Sequence, residues 1–389
     1  MQRIVHPRAM CLAVALATAG CEAPECPEGS SLNGDGLCAV DPNSETGDTD
    51  TDTDTDTDTD TDTDPPYVVC DDGTAAYADV QDAVDAAADG AVITICPGIF
   101  GGVYIWARDV TLQGAGTDLT TLFSSTGPAV RVVDRNATVK SLSLRGLGDA
   151  ATGGAIDVED GTITAQEVLI SELASPVLVA FRGGGGTLDG ITFRGNNYPV
   201  STTDESFLVT AEGGADVTLR RGWFEANVSY VGIFTSESTL TLENSVFTGN
   251  TVGAAGLLVM GGDAFGDYRI TNNVLFDTNS EADGWSRLLN LSWTDFRNNA
   301  VVASNAATLA ERADSVQYSL FWDNFGGNSV SGTGNVASDP RFTDDASGDF
   351  SLRAGYSPAI DAGDPDARYD DQDGTRNDIG ALGGPGGAP

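Results

Sequence analysis

The sequence predicts an all-β chain wound as a single-stranded right-handed parallel β-helix with an N-terminal capping helix. Three observations predict it: a repeat averaging about 25 residues, a phenylalanine and an asparagine at fixed spacing inside that repeat, and a helical period confined to one short stretch ahead of it.

The repeat is read at a central apolar position: Leu144, Ile170, Phe193, Phe224, Phe247, Phe276, Val302 and Phe321, spaced 26, 23, 31, 23, 29, 26 and 19 residues apart. Loops of a β-helix vary in length while its coil does not, so uneven spacing suits it. Leucine-rich repeats fit poorly, because their helices and fixed leucine spacing are missing. Three residues past the centre stands Asn196, Asn227, Asn250, Asn279, Asn305 or Asn324 in six of the eight units. Stacked coils would place these amides about 4.8 Å apart in a ladder, with Phe193, Phe224, Phe247 and Phe276 stacked inside. The crossover between parallel strands makes the coil right-handed.

A second strand per coil lies upstream of each centre, and period two sorts its residues. Val130, Val132, Ile156, Val158, Leu178 and Ala180 are expected inward. Arg131, then Asp157 and Glu159, then Val179 and Phe181, Phe234, Leu258 and Met260 are expected outward.

Ahead of the repeat, Tyr77 to Ala88 carries Val80, Val84 and Ala87 at helical spacing and ends at Asp89-Gly90; a short strand, Val92 to Cys96, and Pro97-Gly98 follow. Residues 1–20 read as a signal peptide, with Arg3 and Arg8 before an apolar run from Met10 to Ala19. Ala19 and Gly20 before Cys21 resemble a bacterial lipobox, in which Cys21 is lipidated. Thr18 departs from the usual aliphatic residue there, and the alternative is simple cleavage with a free Cys21. Residues 21–47 form a polar anchored segment, 48–66 a disordered Thr-Asp stalk with nine aspartates, 67–338 the β-helix and 339–389 a C-terminal capping module.

Four cysteines then remain, Cys26, Cys38, Cys70 and Cys96, an even number suited to disulfides in an exported chain. Three connectivities are open; neighbour pairing gives Cys26 with Cys38 and Cys70 with Cys96. Without CxxC spacing, and with the single histidine, His6, in the signal, a zinc site is not supported. The 58 acids against 17 bases left after Arg3 and Arg8 give a formal charge of about -41. That field opposes nucleic acid, and equally a polyuronate unless calcium bridges the two anions.

Helix, strand and Pro-Gly turn in this order, followed by the coil repeat, resemble pectin-lyase-like β-helices. The resemblance implies chemistry on the outward face of a sheet, where Arg131, Asp157 and Glu159 are the charged cluster and hence the candidate catalytic group. The family's catalytic strings are absent, and a histidine-free mature chain excludes Ser-His and Cys-His nucleophiles. Phe181, Phe234, Met260 and Trp293 are the candidate binding residues, either an exposed groove for a glycan or protein partner or a strip covered by loops.

The tail carries Asp339 to Phe342 (DPRF), Gly348 to Leu352 (GDFSL), Ser357 to Gly363 (SPAIDAG) and Asp378 to Ala381 (DIGA). It resembles the terminal module of bacterial surface β-helix proteins of the choice-of-anchor Q type, although Leu382, Gly383 and Gly384 depart from the usual ending. Within it Asp364, Asp366, Asp371, Asp373 and Asp378, with Gly374, resemble half of a calcium loop, against the alternative of an acidic loop capping the helix end. The expectation is therefore a monomeric, exported protein, lipid-anchored at the outer membrane or cell surface, binding a polysaccharide or surface protein without catalysis. The alternative is a polysaccharide lyase or glycoside hydrolase.

Overall fold

A computed structural model of the chain describes residues 67–124, 127–146, 153–198, 205–260, 266–280, 287–306, 308–311 and 316–387, and the backbone of 30–32 and 38–40. The signal peptide, Cys21, the Thr-Asp stalk and the Cys26–Cys38 pairing lie outside the described residues. In the first of two compact units, Ser30–Leu32 pairs antiparallel with Cys38–Val40.

In the second unit the chain is a right-handed parallel β-helix whose coils turn three corners. Each strand pairs in parallel with its counterpart one coil away, as Ile156–Glu159 does with Val130–Val133 on one side and Val177–Arg182 on the other. We name the sheet holding these strands the first sheet. The second runs through Ala91–Ile95, Val110–Gly114, Gly185–Asp189 and Asp216–Arg220, and the third through Gly98–Gly101, Thr192–Arg194, Trp223–Glu225 and Val246–Thr248. Two long strands, Asn136–Gly146 and Thr162–Ser171, belong to both second and third sheets and bend between them at Ser141 and Glu167, whose φ is 54° and 52°.

One column fills the third sheet's inner face: Phe100, Leu122, Leu144, Ile170, Phe193, Phe224, Phe247, Leu275, Val301 and Phe321, each within 4% of full burial. Phe193, Phe224 and Phe247 stack with centroids 4.5 and 4.3 Å apart. The expected fourth member, Phe276, is not in the stack. Phe247 aligns with Leu275, so Phe276 points outward, and Val302 is displaced likewise by Val301. Apolar residues flank both centres, so periodicity there fits either face.

The asparagine ladder shares that slip. Asn196 Nδ2 donates to Asn227 Oδ1 at 2.9 Å and Asn227 Nδ2 to Asn250 Oδ1 at 3.0 Å, each asparagine also donating to a backbone carbonyl of an adjoining coil. Thr278 and Ser304 take the next two places, buried, and Asn324 the last. Asn279 is half-buried and Asn305 exposed. A second ladder starts two residues before the centres, where Ser245 N–H donates to Asn273 and Asn273 Nδ2 to Asn299 at 2.9 Å.

The N-terminal end is closed by a helix, Val80–Ala86, shorter than the expected 77–88. Asp79 caps it by accepting from Gln81 N–H, and Val80, Ala83 and Val84 are buried. Gln81 closes the edge of the first sheet with its amide, accepting from Tyr104 N–H at 2.7 Å and donating to Tyr104 O at 3.1 Å. The Cys70–Cys96 disulfide, with Cα atoms 5.1 Å apart, ties the segment before the helix to the strand after it, as expected.

The C-terminal module was expected to close the far end; it lies instead along the third sheet's outer face. Val336 meets the final coil, bridging Leu320 and accepting from Phe321 N–H. Beyond it, Phe342, Phe350, Ala359, Ile379 and Ala381 pack on Val246, Val274, Ala300, Val302 and Leu320, with Trp223 and Phe276 at the margin. The apolar members of the tail's four sequence motifs are thus its docking residues. Polar fastening comes from left-handed corner residues: Asn244 Nδ2 donates to the carbonyls of Ala381 and Gly383, Asn272 Nδ2 to those of Asp378 and Gly380, and Asn298 Oδ1 accepts from Asp364 N–H.

Asn227→Ala would leave Phe193 O, Asn196 N–H and Asn250 Oδ1 with lost partners, and should cost about 3 kcal/mol in denaturant unfolding. Deleting residues 339–389 should bare the Val246, Val274, Ala300 and Leu320 column, read as increased binding of a hydrophobic dye and concentration-dependent association.

Candidate functional site

The outer face of the first sheet gathers most of the predicted catalytic chemistry because its strands stack in register. Tyr104 pairs with Arg131, Arg131 with Asp157, and Asp157 with Ala180; one column over, Glu159 pairs with Arg182. Arg131, Asp157 and Glu159 therefore do come together. Arg131 Nη2 lies 2.8 Å from Glu159 and its Nε 3.7 Å from Asp157, while Arg182, not anticipated from the sequence, takes the other oxygen of Asp157. The hydrogen bond to Glu159, aided by the charge of Asp157, raises the Arg131 pKa above its ordinary value against the opposing effect of burial. Arg131 bridges the two carboxylates and Arg182 pairs with Asp157 alone, so each carboxylate is held by at least one guanidinium.

Aromatic side chains border this network. Arg131 sits over the Tyr104 ring, 5.6 Å from its centroid. Tyr104 and Trp106 are 42% and 58% exposed, flanking buried Ile105, and Tyr104 and Arg131 share a cleft of about 280 Å³ with Gln81, Gly102, Phe123 and Pro128. The Val-Tyr-Ile-Trp alternation from Val103 to Trp106 is the sequence signal that could have found this pair.

The predicted binding groove is not formed. Phe181 and Met260 are buried in the core, since Val158 aligns with Phe181 and Thr235 with Met260. Val179 and Leu258 face inward with them. The strands VLVAFR and TVGAAGLLVM carry apolar residues at both parities, so the coil beneath decides which set turns in. Ala180, expected inward, takes the outward place beside Asp157. Phe234 does face outward, half-buried against Phe207 at 5.4 Å. Trp293 is 65% exposed, at a left-handed corner with φ of 57°.

The five aspartates expected around calcium do not share one centre, and among the described residues no group of three or more His, Cys, Asp or Glu is arranged to hold a metal ion. Asp364 pairs with Arg297, and Asp366 caps the 3-10 turn Ala367–Tyr369. Asp373 folds back on Thr375. Asp371 accepts from Asp378 N–H and Gly384 N–H, and Asp378 from Asp361 N–H at 2.7 Å. Burial, with Asp371, Asp361 and Asp373 nearby, pushes Asp378 up to about 6 against the hydrogen bond from Asp361, and burial likewise raises Asp371.

No family model matches the chain, and no curated protein does. Among solved structures it is similar to a pectate lyase, at 16% identity and a TM-score of 0.44, over 77% of this chain and 90% of that one. An α-1,3-glucanase catalytic domain in complex with nigerose matches at 12% identity and a TM-score of 0.32, over 70% and 65%. A pectin methylesterase variant in complex with a hexasaccharide matches at 12% and 0.29, over 74% and 98%. The likeness is one of coiled architecture alone.

A carboxyl whose folded pKa is raised stabilises the fold below its unfolded pKa, and that contribution is lost as pH rises through about 6. Asp378→Asn keeps the acceptor for Asp361 and removes the charge. It should raise the melting temperature at pH 7.5, with the difference from wild type shrinking as pH falls through 6 towards 4.

Proposed function

We propose that this chain is an exported, lipid-anchored surface protein that holds a neutral glycan, without cleaving it, on the face carrying Tyr104 and Trp106. The observation that carries the reading is the pair of exposed aromatic rings beside a charge network that neutralises itself. Sugar rings stack on such platforms through their C–H faces, and the amide, hydroxyl and guanidinium groups around them suit hydroxyl partners. Catalysis would require Asp157 to act while paired with Arg131 and Arg182, or Glu159 while paired with Arg131, and an arginine base would have to give up its ion pairs. The signal-like segment and Cys21 support attachment to a membrane, with the acidic stalk extending the body from it.

Binding to a glycan array, with reducing-sugar and unsaturated-product assays on every hit, tests the reading. Trp106→Ala should weaken a neutral hit at least about tenfold, roughly 1.4 kcal/mol, with no product released by wild type. Product formation abolished by Asp157→Asn or Glu159→Gln would establish the lyase or hydrolase reading instead. Fatty-acid labelling in cells should be lost with Cys21→Ser.

A further inference from the structure

Away from that face, at the corner between the second and third sheets, the column from one coil to the next runs Lys140, Gln166, Asp189, Arg220. Lys140 is the chain's single lysine. Among the described residues its ammonium has no hydrogen-bond or ion-pair partner. It lines a cleft of about 450 Å³ with Ser141, Gln166, Glu167, Asp189 and Arg221. Asp189 is only 6% exposed and is clamped by Arg221 through Nε at 2.8 Å and Nη2 at 2.6 Å, with Arg220 adding a contact at 3.1 Å. That clamp fixes the Arg221 guanidinium across the cleft. Glu167 accepts from the Ser141 hydroxyl at 3.1 Å.

Two cations, Lys140 and Arg221, thus line the cleft with two carboxylates, Asp189 and Glu167, and Arg220 contacts Asp189 without lining it. The cleft is therefore charge-balanced in a molecule whose net charge is -39, and its one unpaired cation is Lys140. A bare anion would satisfy Lys140 but leave the Gln166 amide and the second oxygen of Glu167, the one Ser141 does not reach, without partners. A unit that carries an anionic group next to hydroxyls satisfies all three: its anion meets Lys140 and the outer edge of Arg221, and its hydroxyls donate to Glu167 and pair with Gln166. We propose that the Lys140 cleft is a second binding site, for an acidic saccharide unit bearing a carboxylate or a sulfate ester.

The single lysine makes the test residue-specific, since acylation of Lys140 by an amine-reactive acetyl ester can be followed by peptide mass spectrometry on the full chain. The probes are a uronate-containing disaccharide, a sulfated disaccharide, a neutral disaccharide and inorganic sulfate. At least one acidic disaccharide should slow acylation about fivefold or more at roughly 10 mM, and the neutral one should not. Calorimetric affinity for the protecting disaccharide should fall at least about tenfold in Lys140→Gln, recover in Lys140→Arg and stay unchanged in Trp106→Ala. The difference between the uronate and sulfate arms identifies the anion. The proposal is overturned if neither acidic disaccharide protects, if the neutral disaccharide or sulfate alone protects equally, if Lys140→Gln binds like wild type, or if Trp106→Ala abolishes the protection.

Discussion

The left-handed residue at each corner governs the rest of the structure. A parallel coil can only return above itself by turning sharply, and here it does so with one or two residues in the left-handed region at each corner. Eighteen of the left-handed residues in the described chain are not glycine, with φ between 45° and 59°. Such a residue costs on the order of 1 kcal/mol relative to its relaxed conformation. What offsets the strain is repetition, because each corner lies against another coil whose corner bends in the same way. Each strand then finds an unbroken row of partners. Where two glycines replace the side chain, as at Gly183 and Gly184, the coils approach so closely that a Cβ on Gly184 would fall onto the Gly161 carbonyl.

Every corner also resets which alternate residues face inward, and this decides how much of the molecule its sequence discloses. The fold class, the capping helix, the disulfide and the phenylalanine stack from Phe193 to Phe247 were legible, the stack because each of its phenylalanines stands three residues before an asparagine, at Asn196, Asn227 and Asn250. At Leu275-Phe276 and Val301-Val302 two apolar residues compete, and no local rule chooses between them. The same ambiguity misplaced Phe181 and Met260, and with them the expected groove. Arg131, Asp157 and Glu159 were found because a charged side chain has a single tolerable face. Arg182 escaped notice since its partner is 25 residues away, a distance fixed by coil length and not by any motif.

The apolar doubling that obscured the register has a physical cause. Third-sheet strands near the N-terminus meet solvent on their outer side, whereas those from Trp223 onward lie beneath the C-terminal module and are buried on both faces. The Asn272-Asn273 and Asn298-Asn299 doublets divide the same labour between neighbours. The first of each pair takes the left-handed corner and fastens the module, and the second joins an interior ladder. Module and coil are thereby written into the same residues. The tail's acidic residues follow suit: Asp364 meets Arg297, and the Arg297 guanidinium lies 5.1 Å from the centre of the buried Tyr369 ring.

Charge placement is what the proposal of binding without cleavage rests on. A carboxylate paired with a fixed cation is held in its ionised form, which opposes a role as general acid. On the first sheet Asp157 and Glu159 are both held by arginines, and along the coil Asp189, Glu225 and Asp295 are held in the same way. With 16 arginines and one lysine beyond the signal-like segment set against 58 acids, every pairing withdraws a scarce cation. Residues 67–389 carry 43 acids against these 17 bases, so the carboxylates that the stacked coils pair with arginine are a selected minority and the body keeps a large excess of negative charge. The proposed recognition uses groups that such pairing leaves available, the exposed rings of Tyr104 and Trp106 and the ammonium of Lys140, which has no partner among the described residues.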